Sequence, residues 1–271
     1  EFWGGARVID RGNGRMSIET NPAKGPIWCR LRKTDPKDPV RAIRILRPGT
    51  DASTPPNAYA PDFLRRWSGV SCVRFMDWMN TNHTTPARWA DRPLPTDASF
   101  MPKGVPVEVM VDLANRLETM PWFCMPHTAD EDYVRRFAEQ VKRQLAPGLK
   151  VAIEYSNEVW NGMFPQARHA QAEAARLRIS PATYTARRSL EMFRIWEQVF
   201  GGAERLVRML PSQAGHRGLS EQIVKADNAF RSADALAIAP YLSFNIATQG
   251  HGTPAAEVEK KKKKKLFEHL E

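Results

Sequence analysis

From about residue 41 to residue 241 the chain alternates short apolar runs with longer stretches whose apolar residues fall at helical spacing. The runs are Val40–Leu46, Val70–Trp78, Pro121–Pro126, Leu149–Tyr155, Arg205–Leu210 and Asp234–Tyr241, and each reads as a strand. Between them Asp62–Trp67, Val105–Met120, Asp130–Leu145, Phe164–Leu177, Pro181–Phe200 and Ser220–Ala233 read as helices. Asp130 or Thr128 is the expected cap of the third helix and Ser220 of the last, and Gly201-Gly202 is the expected stop of the fifth. Residues 1–40 differ: turn residues separate short apolar pieces such as Arg7-Val-Ile and Pro26-Ile-Trp-Cys-Arg-Leu, the pattern of a few short β-strands.

Short apolar strands alternating with helices predict a parallel sheet covered by helices. A doubly wound sheet would carry a glycine-rich phosphate turn after an early strand, and there is none. A barrel instead gathers ligand-facing residues at the C-terminal ends of its strands. Asp77-Trp78, His127, Asn157-Glu158 and Tyr241 collect there. The expected fold is therefore α/β, a (β/α) TIM-type barrel of about six βα units and hence incomplete. The expected organisation is an N-terminal β-rich segment over 1–40, the barrel over 41–250 and a disordered or vector-derived tail over 251–271.

Charge and composition narrow the function. The formal net charge is +10, but six of these charges are the run Lys260–Lys265, and removing them leaves +4. A like-charge run repels itself and stays solvated. The other basic residues are scattered without a recognition motif, so no nucleic-acid partner is expected. No run approaches the ~18 residues of an apolar membrane helix, so no membrane partner is expected. The chain opens Glu-Phe-Trp-Gly-Gly, with neither an initiator Met nor a signal peptide. The compartment is left open, with secretion or the periplasm the expectation for a native full-length protein. Cys29, Cys72 and Cys124 lack paired spacing and read as buried free thiols. Neither a metal nor a cofactor is expected.

The chemistry centres on Glu158, in Ile153-Glu-Tyr-Ser-Asn157-Glu158-Val-Trp160-Asn161. Strand alternation puts Glu154, Ser156 and Glu158 on one face, with Glu158 at the mouth of a barrel. A general acid for glycosidic cleavage must stay protonated near neutral pH, and an apolar rim, to which Trp160 would contribute, favours that. Glu154 lies one layer deeper and is expected in a buried ion pair, with Arg74 a candidate partner, because an isolated buried carboxylate is costly. Trp78, Trp89 and Trp160 are expected sugar-stacking residues. Trp122 and Trp196 read as core, and His169 and His216 as surface residues. Asn80, Asn82 and His83 are loop residues able to bind hydroxyls. Ser156 lacks the setting of a nucleophilic serine.

Asn157-Glu158 after an apolar strand, followed by Trp160-Asn161, resembles the fourth-strand motif of glycoside hydrolase clan A, and also bacterial cellulase-like and cellulose-binding proteins. The resemblance implies that Glu158 is the acid/base and that Asn157 contacts the sugar's 2-hydroxyl. It implies further that Arg74 supports the nucleophile, that His127 is an active-site histidine, and that Tyr241 hydrogen-bonds the nucleophile. The nucleophile itself would be a Glu after a seventh strand. After Tyr241 only Glu257, Glu259, Glu268 and Glu271 remain, and none follows an apolar strand. A retaining mechanism needs two carboxyl groups ~5–5.5 Å apart. The expected function is hydrolysis of a β-linked polysaccharide such as a β-glucan. The alternatives are a catalytically inactive carbohydrate-binding barrel fragment and a hydrolase of another bond, such as an ester. Open sheet edges make self-association a further expectation.

Overall fold

The computed structural model describes residues 1–12, 15–41, 43–46, 59–83 and 86–240. The chain divides into two compact units, Glu1–Ala58 and Tyr59–Glu271.

The first unit contains two antiparallel ribbons. Strands β1 (Phe2–Gly4) and β4 (Ile27–Cys29) pair with Trp3 opposite Trp28, and the two indoles stack with ring centroids 6.4 Å apart. Strands β2 (Ala6–Gly12) and β3 (Arg15–Thr20) form a hairpin whose register closes at Gly12 opposite Arg15. The strand expected over Val40–Leu46 does not form. Its described residues adopt no regular structure, and Ile43 and Ile45 are 61% and 86% exposed. Alternation of apolar residues with Arg41 and Arg44 makes a strand only beside a pairing strand, and among the described residues no strand pairs with it.

The second unit is mixed α/β. Strands β5 (Cys72–Arg74), β6 (Met120–Met125), β7 (Val151–Tyr155), β8 (Leu206–Pro211) and β9 (Ala235–Ala237) form one sheet in chain order, every neighbour parallel. Helix α1 (Pro61–Trp67) precedes it. The crossovers carry α2 (Val107–Leu117), α3 (Glu131–Gln144), the pair α4 (Pro165–Leu177) and α5 (Pro181–Phe200), and α6 (Arg217–Lys225). A strand order that never reverses keeps the crossovers to one face, and the sheet curls into a half barrel. Among the described residues the sheet has five strands rather than the six expected. Among the described residues β5 and β9 are not paired with each other, and no closed barrel of eight βα units is seen.

Local chemistry explains the helix ends. The Asp130 carboxylate accepts from the Tyr133 N–H at 2.7 Å and caps α3. Ser180 caps α5, which opens on Pro181 and stops at Gly201 in left-handed geometry. The last helix starts earlier than expected: the cap is the His216 ring, accepting from the Leu219 N–H at 3.0 Å, rather than Ser220.

Strand alternation then sorts side chains between two faces. Phe123, Ile153, Tyr155 and Leu210 point toward the helices and pack with Phe75, Phe137, Phe193 and Trp196 in the main core. Fully burying each such side chain contributes roughly 1.5–3 kcal/mol. Trp196 is completely buried, as expected. The concave face carries a smaller apolar group, Ala152, Met209 and Ala237, with Met120, Trp122, Val207 and Ala235 against it. Trp122 is thus not in the main core. It lies at an even step from Met120, and the alternation of β6 turns it to the concave side.

Candidate functional site at the C-terminal ends of β6 and β7

Glu154 sits on the concave face, almost wholly buried, and its Oε2 is the convergence point of three donors. Arg74 Nη2 donates from 2.8 Å, Trp122 Nε1 from 3.0 Å and Cys124 Sγ from 3.4 Å. The Arg74 guanidinium also lies over the Trp122 ring, 4.8 Å from its centroid. Burial pushes the Glu154 carboxyl up, although Arg74 and the hydrogen bonds from Cys124 and Trp122 act to lower it. Burial, and next the charge of Glu154, push the Cys124 thiol well up. The expected ion pair between Glu154 and Arg74 is therefore present, buried at Glu154 and open to solvent at Arg74, with Trp122 and Cys124 added to it.

The same Arg74 nitrogen donates to Asn157 Oδ1 at 2.9 Å. Asn157 Nδ2 donates to Asn82 Oδ1 at 3.0 Å. The buried amide of Gln166, in the first turn of α4, donates to Asn82 Oδ1 at 2.7 Å and to the Asn157 carbonyl at 2.6 Å. Asn82 comes from the loop after β5. That loop is fixed by Gly104, whose φ of +92° brings its backbone against the Trp78 carbonyl, where a Cβ would lie 2.7 Å away. Thr81 is buried beside it, its hydroxyl donating to the Met76 carbonyl at 3.1 Å.

Glu158 does not reach the site by strand alternation. β7 ends at Tyr155, and Ser156 and Glu158 both have positive φ, +59° and +41°. Two non-glycine residues in left-handed backbone within three positions make a strained turn, the kind that persists only when its surroundings over-determine it. The turn buries Glu158 to 7% exposure, and Glu158 Oε2 accepts from Asn161 Nδ2 at 2.9 Å. The charge of Glu158 also reaches Arg74. Burial acts to lower that guanidinium's pKa, but the neighbouring Cys124, Glu154 and Glu158 outweigh it and the net direction is up.

Of the other expected residues, His127 is buried at the end of β6, and its carbonyl accepts from the Tyr155 hydroxyl at 3.3 Å. Burial, and next the neighbouring His169, lower its pKa to about 4, so its imidazole is neutral at pH 7. The two rings lie 5.2 Å apart. His169 is half-buried rather than on the surface, with its Nε2 3.2 Å from the Tyr184 hydroxyl. Trp160 Nε1 donates to the Ser212 carbonyl at 2.8 Å and ties the turn to the end of β8. Trp78 packs between Phe63 and Phe75, at 6.4 and 5.5 Å. Trp89 packs on Tyr133 with Arg92 over its ring at 4.2 Å. Neither Trp78 nor Trp89 joins the Arg74–Asn157 network. Tyr241 lies outside the described residues. Cys124 is buried, Cys72 half-buried and Cys29 exposed, so burial of the thiols holds for one of the three. Among the described residues no three His, Cys, Asp or Glu side chains gather as a metal site, and no helix is long and apolar enough to cross a membrane.

Sequence reasoning missed Gln166 and the role of Trp122. A glutamine in the first turn of a helix has no distinctive spacing, and a tryptophan in an apolar strand reads as core on either face.

Comparison of the chain with protein-family models, with characterised proteins and with solved structures finds no match. The resemblance to glycoside hydrolase clan A and to cellulase-like proteins is therefore overturned, because neither a family model nor a homologue carries it and the sheet has, among the described residues, five strands where that fold has eight units. The five residues Asn157–Asn161 lie in the turn after β7, and a motif that short does not fix how many strands surround it. What the fold and site define is a class: a mixed α/β protein whose curled parallel sheet holds a buried polar cluster at its strand ends.

Proposed function

We propose that this chain bears a glycoside-hydrolase site in which Glu158 is the acid/base and Asn157 binds the sugar beside the cleaved bond, with a β-linked polysaccharide as substrate. The observation that carries the reading is the strained Ser156–Glu158 turn, which buries one carboxylate beside an amide and an arginine at the C-terminal end of a parallel strand. In (β/α) barrels, of which the curled sheet is read as a part, ligands sit at that end. Glu158 would protonate the departing oxygen and then activate water. Asn157, held by Arg74 and Asn82, would meet the sugar in a fixed orientation. Glu154 is not read as the nucleophile of a retaining mechanism, because three donors already engage its carboxylate. Neutral His127 would serve as a hydrogen-bonding wall at neutral pH.

Titration with β-linked oligosaccharides, with reducing-sugar release assayed in parallel, tests the reading. Binding with release supports it. Binding without release supports the alternative, an inactive carbohydrate-binding protein. Neither binding nor release, with cleavage of chromogenic esters, would replace both.

A further inference from the structure

Gln166 is fully buried at the second position of α4, and two acceptors face its side-chain nitrogen, the Asn157 carbonyl and Asn82 Oδ1. Neither partner can donate at those atoms, so the amide orientation is fixed by its neighbours. The Asn157 carbonyl sits between the two left-handed residues Ser156 and Glu158. A non-glycine backbone held there twice needs restraint; the Asn161 contacts to Glu158 and the Ser156 N–H donating to the Met125 carbonyl supply part of it at the two ends of the turn. Gln166 grips the turn from outside, at its middle peptide. Through Asn82 the same amide also ties the loop after β5 to the end of β7.

We propose that Gln166 is the positioning residue of this site: by holding the Asn157 carbonyl and Asn82 together it sets the Ser156–Glu158 turn, and so the direction in which Asn157 and Glu158 face a substrate. The inference rests on the proposed function for its catalytic consequence and on geometry alone for its structural one. Gln166 touches no reacting atom in this scheme and acts only through the turn.

The test compares the wild-type chain with Gln166→Leu, which keeps the volume and loses the donor. Asn82→Ala serves as a second, milder variant that leaves the Gln166–Asn157 bond in place. Amide hydrogen exchange is followed at Asn157, Glu158 and Asn161, with Ile153 and Leu210 as sheet probes. In Gln166→Leu the turn amides should exchange roughly tenfold faster relative to the sheet probes, and in Asn82→Ala by less. On a β-linked oligosaccharide kcat should fall ~100-fold while KM stays within about threefold, since misplacing a reacting group costs rate rather than binding. Turn and sheet amides accelerating together would make Gln166 an ordinary core residue and overturn the inference. So would an unchanged kcat beside a loosened turn. If the wild-type chain hydrolyses no glycan, the functional reading falls, and selective exchange at the turn still decides whether Gln166 holds it.

Discussion

Arg74 on β5 and Glu154 on β7 meet across the intervening strand β6, with Arg74 Nη2 2.8 Å from Glu154 Oε2. The pair is lopsided: the Glu154 side chain is 2% exposed and that of Arg74 is 32%. The arginine therefore brings solvent-side charge to a carboxylate that has none of its own. Its second bond, to Asn157, links the pair to the turn that carries Glu158.

Arg74→Met should destabilise the fold by ~3 kcal/mol, the low end for breaking a buried pair, because Arg74 itself reaches solvent. Adding Glu154→Gln should restore much of the loss, since the amide has no charge to strand. Urea unfolding of the two single variants and the double variant measures this. Additive losses in the double variant would show that the two residues act independently.

Glu158→Gln should abolish hydrolysis of unactivated β-linked polysaccharide. Aryl glycosides with activated leaving groups, which need little protonation, should keep more of their first step. Parallel assays on both substrate types read the difference. Polysaccharide hydrolysis at the parental rate would remove Glu158 from the acid/base role.

His127 makes stability pH-dependent with a defined sign. Its folded-state pKa is depressed, from an ordinary 6.5 to about 4, by burial and by His169. The unfolded chain thus binds the proton first as pH falls. The stability associated with neutral His127 is fully present above about pH 6.5 and is lost progressively down to about pH 4, by up to on the order of 3 kcal/mol. His127→Gln should flatten that part of the stability–pH curve. A parental slope in the variant would assign the effect to another group.

Self-association should follow from the sheet edges. β5 and β9 each pair on one side only among the described residues, and Leu236 on β9 is 38% exposed. Unpaired edges beside an apolar concave face invite another strand. Light scattering over a concentration series should show the mean mass rising, and Leu236→Lys should reduce the rise. A constant monomer mass for the parent would mean that the edges are covered.

The periodic parts of the fold were legible in the sequence because burial on one face imposes a repeat. Five strands and the helices between them fall within or beside the expected runs, although β5 and β9 are shorter than expected and the last helix is Arg217–Lys225 rather than Ser220–Ala233. Asp130 starts one helix and Gly201 stops another for reasons local to the chain. The resemblance carried by Asn157-Glu158-Val-Trp160-Asn161 did not survive, because a short motif says nothing about how many strands surround it. The apolar alternation at Val40–Leu46 failed for a related reason: a strand is a property of a pair, and the sequence names only one member. Tertiary structure alone decided which face Trp122 occupies, that His169 stands against His127, and that Gln166 reaches across to Asn157 and Asn82. It also decided how Glu158 arrives at the site. Alternation was the argument from sequence, but the backbone leaves the strand at Ser156 and turns through two left-handed residues. Such geometry is unfavourable to the isolated chain, so no local pattern announces it. Its partners are Arg74 and Asn82, from the strand β5 and the loop after it, and Gln166 on the next helix.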